Sequence, residues 1–486
     1  MMKSYRRGKS QNMPDRLDTP LGTYHGADVL EGFAADAEEL GRHEGESFQY
    51  DNDFYRLCVQ DNLYIFQFKG DSEVKIPKMS INDLNTIIEK NMKRGKACDI
   101  YQLTAEHLKY AGEKTRYHIL NLINDIIDNI YYLTCPQAKI GLSTAIHKRK
   151  RKPLTSASSY RRVTVTPQLG SILDRFIDPM TESIFRPRQS PDQYGFTKGL
   201  SYLMASVVRG ECQRWALDEK KTCFGVSFDG KAAFPSVERE IQIREIFAVG
   251  ERGDFLNYSK NTYQNTESTI KINDKMSRQF REYKGSRQGH SKASGHFKTY
   301  INPCLEVTNK SNLGFNIGSI CVTSICVADD TYILSDCPRK LQAAIDIVAH
   351  YGLRYRVVFG ADKTKATVTG LKIDMQYYKE VNIWTLYDKK IAVTDENEHL
   401  GLIVSGSDEE KKNIDENMQS CRRSLFSLLG PAFAYDCKLS PGVQTRLWRT
   451  YCQPVLRSGL AALPIRPVHL EPLCMFQRYS KRISKT

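Results

Sequence analysis

Two acidic residues, a hundred positions apart, each end a run of β-branched and apolar residues. Asp229 closes the segment CFGVSFD, and Asp329 closes the segment SICVAD. Runs of this composition and length are typical of buried strands, so each aspartate is predicted to lie where a strand reaches the edge of a sheet. Carboxylates that converge from different strands supply the oxygen ligands that a pair of divalent metal ions needs. No other feature of the chain constrains its fold and chemistry as strongly.

Each acidic residue alone has a simpler interpretation. The triplet Ala328-Asp329-Asp330 between apolar runs is most often a hairpin turn, because aspartate favours turns through side-chain to backbone hydrogen bonds. Asp229 alone is no more specific, because strands often end in aspartate. The order, spacing and surroundings of the two segments together favour a metal site.

The residues after Asp229 are GKAAF, which places Phe234 five positions after the acid. In this respect the chain resembles the reverse transcriptases. The resemblance implies that Asp229, the Gly230 carbonyl and Asp329 bind metal, and that Asp330 supports the site. It also places Phe234 under the sugar of the incoming nucleotide, where a flat ring leaves no room for the 2′-hydroxyl that distinguishes RNA from DNA. Phe234 therefore favours DNA synthesis; the alternative is an ordinary core aromatic.

A glycine-rich segment, GSRQGHSKASGHFKTYIN at residues 285–302, resembles the nucleotide-binding loop of the same family and the helix after it. The resemblance places Gln288 and Gly289 at the nucleotide. Glycine permits close approach of the backbone, and glutamine can hydrogen-bond sugar or phosphate. The family usually has Ser-Pro where this chain has Ala293-Ser294, so the helix start and its template contacts are in question. Without the resemblance, this is an ordinary loop.

Two downstream positions complete the resemblance. Lys363 follows a predicted strand, in a motif that places a basic residue near the leaving pyrophosphate, where it could act as general acid. The alternative is a solvated surface lysine. His399, Leu400 and Gly401 resemble the primer-gripping turn, whose backbone supports the terminal hydroxyl of the primer.

Basic residues cluster upstream, with five in succession at residues 148–152. In reverse transcriptases a basic residue and a Tyr-Arg pair bracket the triphosphate, which the resemblance assigns to Lys148 and Arg161; guanidinium suits phosphate by its rigid fork of donors. Arg162 stands where the family commonly has proline. The alternatives for residues 148–152 are a solvated loop or a nuclear-import signal. The segment SPDQYGFTKGLS, from Ser190 to Ser201, resembles the finger segment that lies against the template.

Four helix boundaries can be predicted from proline, glycine and serine. The segment after the acidic turn predicts a helix that begins near Pro338 and ends at Gly352. Near the C-terminus, one helix is predicted to end at Gly430-Pro431 and another to begin at Ser440-Pro441, where serine caps the helix and proline takes its first turn.

The charge distribution agrees with a nucleic-acid partner. The 486 residues carry a formal net charge of +14. Residues 1–60 hold seven basic and eleven acidic residues, whereas residues 421–486 hold eleven basic and two acidic residues, so the positive charge is concentrated near the C-terminus. The thirteen cysteines include no C-x-x-C pair, which disfavours a zinc knuckle. No signal peptide or membrane span is indicated, so we expect an intracellular protein of cytoplasm and nucleus.

These features predict an α+β right-hand polymerase whose palm is an antiparallel sheet backed by helices. We expect an acidic segment at residues 1–50 that is disordered apart from a short helix near DVLEGFAADAEEL (residues 28–40), fingers at 51–220, a palm at 221–405 and a basic helical thumb at 406–486, with the reverse transcriptase domain at 130–405. The resemblance covers residues 80–460 and is closest to the enzymes of non-LTR (LINE-type) retrotransposons. The long stretch between the first acid and the glycine-rich loop, the His-Leu-Gly turn and the Gly95–Gly112 segment favour that group over retroviruses.

The expected activity is RNA-directed DNA synthesis on an RNA template, with a DNA primer and deoxynucleoside triphosphates. Two Mg²⁺ ions are implied, for which Mn²⁺ could substitute. One alternative is a decayed polymerase-like domain that only binds nucleic acid. The other is a two-metal nuclease, which is disfavoured because Phe234, Gln288 and Arg161 have no evident role in strand cleavage. No segment is a candidate for the endonuclease of such mobile elements, so we expect a fragment or a decayed copy, and no protein partner is indicated.

Overall fold

The chain is assembled into two units, each from separate stretches of sequence. A computed structural model describes residues 13–42, 49–67, 74–130, 136–148, 152–230, 233–286, 289–370, 375–381, 383–406, 408–432 and 439–483. Unit 1 comprises residues 1–189, 231–303 and 351–358. Unit 2 comprises residues 190–230, 304–350 and 359–486.

The strands of the described residues are short and are spread along the chain. In chain order they are β1 (Arg16–Thr19), β2 (Gly22–His25), β3 (Ile140–His147), β4 (Tyr160–Val165), β5 (Cys223–Phe228), β6 (Thr266–Ile272), β7 (Lys275–Met276), β8 (Phe280–Glu282), β9 (Phe315–Ile317), β10 (Ile320–Val322), β11 (Ser324–Val327), β12 (Asp330–Ser335), β13 (Lys365–Thr369), β14 (Thr385–Leu386), β15 (Lys389–Lys390), β16 (Ala392–Val393), β17 (Glu396–His399) and β18 (Leu402–Ser405).

Helices make up more of the described chain than strands do. In chain order they are α1 (Val29–Leu40), α2 (Asn52–Gln67), α3 (Ile81–Thr86), α4 (Ala105–Lys109), α5 (Glu113–Asp128), α6 (Gln168–Phe185), α7 (Tyr202–Asp218), α8 (Ala233–Ser236), α9 (Arg239–Ala248), α10 (Gly253–Tyr263), α11 (Ala293–Lys310), α12 (Pro338–Arg354), α13 (Met375–Val381), α14 (Glu409–Ala432), α15 (Pro441–Tyr451), α16 (Gln453–Leu456) and α17 (Pro467–Ile483). This mixture agrees with the predicted α+β class.

The sheet of unit 1 is built on β3 and β6. These two strands pair in parallel, β4 pairs antiparallel with β3, and β7 and β8 pair antiparallel with β6. Helices α3 to α6 and α10 enclose a separate apolar core with Leu84, Ile123, Ile172 and Ile177 near its centre. The edge of the sheet at β4 carries Arg161, one of the predicted phosphate ligands.

An ordered segment at residues 13–42 covers this sheet; the short helix expected near residues 28–40 is present, and the disorder expected around it is wrong for the described residues. Strands β1 and β2 form an antiparallel hairpin, and α1 follows it. The helix buries Phe33 against Tyr160, with ring centroids 4.9 Å apart, and its apolar face packs with Ile270 and Phe280 of the sheet. The helix forms because its apolar residues recur every three or four positions and make one continuous stripe.

The sheet of unit 2 has the order β11-β12-β5-β13-β16. Every neighbouring pair in it is antiparallel except β13 and β16. Helix α7 packs its buried Ala205, Cys212 and Ala216 against Tyr332 and Leu334 of the sheet. The sheet is therefore mainly antiparallel and backed by a helix, as the sequence predicted.

The C-terminal helices of unit 2 pack around Trp448, which is buried with Cys421, Leu425 and Cys452. The helix after Ser440 begins at Pro441, as predicted, but the predicted cap is wrong in one respect, because the Ser440 side chain makes no capping hydrogen bond. The predicted end at Gly430-Pro431 was wrong, because α14 runs to Ala432. None of the helices in the described ranges is both long enough and apolar enough to cross a bilayer.

Helix α12 begins at Pro338, as predicted, but continues past Gly352 to Arg354. The left-handed residue beyond its end is Arg356, with φ 55°. A glycine inside a helix costs only about 1 kcal/mol relative to alanine. Packing of Tyr351 on Tyr355, whose rings stack 4.4 Å apart, is enough to carry the helix through Gly352.

The packing of α1 predicts that the N-terminal segment stabilises unit 1. Phe33→Ala removes a side chain that is 3% exposed and should lower the free energy of unfolding by about 3–5 kcal/mol, measured by urea denaturation. Leu21→Ala, at a residue 52% exposed, is the control and should change it by less than about 0.5 kcal/mol. Equal effects of the two substitutions would contradict the packing of α1 on the sheet.

Candidate active site

The predicted carboxylates lie at one end of the unit 2 sheet. Strands β5 and β12 are antiparallel neighbours in which Thr331 pairs with Phe228. Continuing that register by one residue sets Asp330 opposite Asp229. Asp329 immediately precedes Asp330, in the turn that joins β11 to β12. Opposed Cα atoms in antiparallel strands are about 4.5–5.5 Å apart, so these aspartates form one acidic end of the sheet.

The acidic end is open to ligands. The Asp229 side chain is 45% exposed, Asp329 is half-buried and Asp330 is exposed. Asp330, to which the resemblance assigned a supporting role, is the residue directly across from Asp229 in the register.

Lys363 is placed against the first acidic residue. Its Nζ lies 3.0 Å from Oδ2 of Asp229, and its side chain is 53% exposed. The Gly360 N–H donates to the Asp229 carbonyl at 3.3 Å, and the Lys363 N–H donates to the Gly360 carbonyl at 3.0 Å. Gly230 forms a bridge with Phe359 in the same ladder. A backbone turn between Gly360 and Lys363 therefore returns the lysine to the carboxylate.

The segment that the resemblance placed against the template lies along the acidic hairpin. The Cys326 N–H donates to the Asp192 carbonyl at 2.9 Å, and the Tyr194 N–H donates to the Cys326 carbonyl at 2.8 Å. The Gln193 side chain is 1% exposed, so it is unavailable to a template, whereas Phe196 is 55% exposed. The template contact expected of this segment stays a prediction, carried by exposed residues such as Phe196.

The glycine-rich loop belongs to unit 1. Gly289 has φ 89°, and a Cβ there would lie 2.0 Å from the Thr164 carbonyl oxygen on β4, so only glycine fits. Phe234 is half-buried and stacks on Phe297, with ring centroids 4.3 Å apart and an interplanar angle of 14°. The Ser286 N–H donates to the Phe234 carbonyl at 2.8 Å, which ties the loop to that ring. Gln288 lies outside the described residues.

The two basic residues predicted to bind the triphosphate lie on the β3–β4 hairpin of unit 1. Arg161 pairs with Ile146 and is exposed, so its guanidinium is accessible to an anion. Lys148 donates from Nζ to the Ser158 carbonyl at 2.8 Å, which folds it back onto the hairpin. Residues 149–151 lie outside the described range.

Arg162, the departure from the family pattern, has an acidic neighbour that the sequence did not reveal. Burial lowers the pKa of the Arg162 guanidinium, and Asp36 and Glu282 oppose that shift. Burial also raises the pKa of Asp36, and Arg162 opposes it. Asp36 comes from the N-terminal helix, whose contact with β4 could not be predicted from the sequence.

The predicted primer-gripping turn joins β17 to β18. Leu400 and Gly401 both have positive φ, 53° and 76°, and form the tight turn. His399 is 4% exposed and lies 4.8 Å from the Tyr332 ring of β12. Burial, with a smaller contribution from Arg209, lowers the pKa of His399 to about 3. The imidazole is therefore neutral and part of the packing, and the backbone of the turn is the part available to a primer.

A buried polar network that sequence reasoning missed lies directly after the glycine-rich loop. His290 Nε2 is 2.8 Å from Oδ1 of Asp174, to which the Tyr258 hydroxyl also donates. Lys292 Nζ lies 3.4 Å from Glu251, with both side chains buried. Burial opposes ionisation of Asp174, but His290, Tyr258 and Lys292 together lower its pKa. These residues anchor the start of α11, and their partners are too distant in sequence to be predicted from a motif.

The acidic end of unit 2 suits a hard divalent cation. Mg²⁺ is usually held by one or two carboxylates together with substrate phosphates, and Asp229, Asp329 and the Gly230 carbonyl offer such oxygen donors. Among the residues that the structure describes, no group of three or more His, Cys, Asp or Glu side chains forms a preassembled metal cage. The donor set therefore fits an ion whose coordination is completed by substrate.

An antiparallel sheet that presents aspartates from neighbouring strands, beside a lysine, is typical of nucleotidyl-transferring polymerases. The profile of the family described as "Reverse transcriptase (RNA-dependent DNA polymerase)" matches residues 146–404, which is more than half of the chain. The protein therefore belongs to the reverse transcriptase family. A search of curated proteins gave no significant match.

Family membership defines the reaction class. The protein is an RNA-dependent DNA polymerase, a nucleotidyltransferase, and its substrates are nucleic-acid template and primer and nucleotides. Reverse transcriptases use divalent metal ions. The matched residues include all the predicted site residues from Lys148 to Gly401.

The buried imidazole of His399 predicts a pH dependence of stability. The unfolded chain binds a proton on this residue below about pH 6.5, whereas the folded protein does so only near pH 3. The contribution of the neutral His399 side chain to the free energy of unfolding is therefore complete above pH 6.5. It is lost as the pH falls toward 3, by about 1.4 kcal/mol per pH unit. Urea denaturation at pH 7, 6 and 5 should show this slope in the parent and a shallower slope in His399→Leu. Identical slopes would contradict the buried neutral imidazole.

Proposed function

We propose that the protein is the reverse transcriptase of a non-LTR (LINE-type) retrotransposon, which extends a DNA primer on an RNA template. The observation that carries the proposal is the antiparallel register that sets Asp330 opposite Asp229, with Asp329 in the adjoining turn. The LINE-type assignment rests on the sequence resemblance, above all on the spacing from Asp229 to Gly285 and on the His399-Leu400-Gly401 turn. The proposal includes fingers, palm and thumb within residues 51–220, 221–405 and 406–486, and a location in cytoplasm and nucleus.

The proposed chemistry is attack of the primer 3′-hydroxyl on the α-phosphate of a deoxynucleoside triphosphate. Asp229, Asp329 and the Gly230 carbonyl would hold two Mg²⁺ ions, with Asp330 in support. Such ions, when bound, activate the hydroxyl and neutralise charge on the triphosphate. Two carboxylates close together repel each other, so a cation between them would stabilise the site. The Lys363 ammonium, 3.0 Å from Asp229, supplies one positive charge to that end of the sheet.

Lys363 is also the proposed proton donor to the pyrophosphate leaving group. Its side chain is 53% exposed and extends from a turn rather than from a helix or strand. The ammonium can therefore leave the Asp229 carboxylate and contact a phosphate oxygen instead. Proton transfer of this kind contributes about 10²–10⁴-fold to enzymatic rates.

The remaining assignments concern substrate binding. We assign Arg161 and Lys148 to the triphosphate and Gln288 and Gly289 to the nucleotide. The close approach of Gly289 to β4 supports this, because it lets the loop backbone lie on the strand that carries Arg161. The Leu400-Gly401 turn is the proposed support for the primer terminus.

Selection of deoxynucleotides is assigned to Phe234. Its ring is backed by the fully buried Phe297, so it cannot retreat from a sugar that carries an extra hydroxyl. A polar residue in this place would accept a 2′-hydroxyl, which is why the aromatic side chain supports DNA synthesis.

A catalytically decayed, nucleic-acid-binding domain is the alternative. The departures from the family pattern at Arg162 and at Ala293-Ser294 favour it. The two candidates differ in one observable, namely whether purified protein that binds primer–template also extends it.

The acidic residues at the end of the sheet are predicted to be needed for catalysis but not for binding of primer–template. Asp329→Asn and Asp229→Asn should each lower primer extension by at least about 10³-fold, because each removes a charged metal ligand, while primer–template affinity stays within a few-fold of the parent. The measurement is extension of a labelled primer on poly-A with dTTP, beside a binding titration of the same duplex. Asp408→Asn, at an acidic residue outside the proposed site, is the control and should retain activity. Undiminished extension by Asp329→Asn would remove this residue from the site.

The stacked Phe234 predicts a change in sugar selectivity. Phe234→Val should lower the ratio of kcat/KM for dNTP over rNTP by at least about tenfold, because a smaller side chain admits the 2′-hydroxyl. Single-nucleotide incorporation kinetics provide the measurement. Phe297→Val is not an independent control, since Phe297 supports the Phe234 ring. Phe255→Val, in a separate core cluster, should affect stability only. An unchanged ratio in Phe234→Val would mean that this ring is a core residue.

A further inference from the structure

The turn that carries Asp329 is held by a buried side chain, Gln193. Oε1 of Gln193 accepts the Ala328 N–H at 2.9 Å and the Gly195 N–H at 2.8 Å. Nε2 donates to the Ala328 carbonyl at 3.2 Å. A primary amide has one acceptor and two donors, and here it pairs with both backbone groups of one residue. Gln193 thus binds both backbone groups of the residue directly before Asp329, as a neighbouring strand would.

The residue that Gln193 binds has an unfavourable backbone conformation. Ala328 has φ 62°, in the left-handed region that residues with a Cβ rarely occupy. Such strain persists only where surrounding contacts impose it. Two hydrogen bonds from a side chain that is 1% exposed supply contacts of that kind.

Gly195 lets the supporting segment come close enough. A Cβ at Gly195 would lie 2.3 Å from the Ala328 nitrogen and 2.9 Å from Oε1 of Gln193. Any larger side chain would therefore push the segment away from the turn. The glycine and the glutamine of the Gln-x-Gly-Phe sequence thus both contact the backbone of Ala328.

The segment is anchored on its other side as well. Asn309 donates to the Asp192 carboxylate and accepts from the Ser324 hydroxyl at 2.9 Å. Gln193 also forms a parallel bridge with Cys326. The supporting residues are thus fixed to β11 before the chain reaches the turn.

We propose that Gln193 is a positioning residue that holds Ala328 in its left-handed conformation and so sets the direction of the Asp329 carboxylate. The metal-binding role of Asp329 in this inference rests on the proposed function. Mg²⁺ requires near-ideal octahedral geometry, whereas Mn²⁺ accepts a wider range of ligand positions. Loss of Gln193 should therefore impair the use of Mg²⁺ more than that of Mn²⁺, without any contact between Gln193 and substrate.

Gln193→Met tests the inference, because methionine has a similar volume and no hydrogen-bonding amide. Hydrogen exchange of the peptide spanning β11, the turn and β12 should accelerate by about tenfold or more at Ala328, since its N–H loses its acceptor. In primer extension on poly-A, the ratio of the Mn²⁺-supported to the Mg²⁺-supported rate should rise at least about fivefold. Should Gln193→Met not fold, Gln193→Leu takes its place, since leucine also lacks the amide and should accelerate exchange at Ala328 and raise the metal ratio in the same way.

Gln213→Met is the matched control. Gln213 is a buried glutamine of unit 2 whose amide donates to Thr369 and accepts from Arg209, far in sequence from the turn. It should lower stability without altering exchange at Ala328 or the metal ratio. If Gln193→Met behaves like Gln213→Met in both measurements, the positioning role is wrong. Absence of extension by the parent protein would overturn the proposed function instead, and exchange at Ala328 would still decide the role of Gln193.

Discussion

The pairing of β5 with β12 is the constraint on which the site depends. Backbone hydrogen bonds between these antiparallel strands set Asp330 opposite Asp229 and bring the Asp329 turn to the same end of the sheet. A slip by one residue would turn each side chain to the opposite face, so the register and the chemistry are inseparable. The buried cluster of Tyr332 and Leu334 against α7 resists such a slip, because only one register buries both side chains.

Converging carboxylates create an electrostatic cost that the rest of the site must offset. Like charges a few ångströms apart destabilise the ionised state, and partial exposure of Asp229 limits that cost through solvent. Lys363 contributes a neighbouring positive charge, and its exposed position means that the pair adds little to stability. The arrangement is therefore better suited to exchanging cations than to strengthening the fold. In unit 1, by contrast, the Lys292–Glu251 pair is fully buried, where removal of one partner would leave an unpaired charge.

How far the sequence predicts the structure depends on the range of the interactions. The strands that end near Asp229 and Asp329 are predictable because their apolar, β-branched runs are local signals. The short helix near residues 28–40 was predictable from its local apolar stripe, but the order of the segment around it was not, because the sheet on which it packs lies more than a hundred residues away. The contact of Gln193 with Ala328, 135 positions later, has no local signature at all. Gly352 looked like a helix end, and tertiary packing overrode it.

The central claim is that Asp229 and Asp329 bind the same metal ions. Anomalous diffraction from crystals grown with Mn²⁺, primer–template and a non-hydrolysable deoxynucleotide tests it directly. The account predicts two peaks about 4 Å apart, with oxygens of both carboxylates about 2 Å from a shared ion. Peaks bound by only one of the two aspartates, or two carboxylates that point to opposite faces of the sheet, would contradict the account.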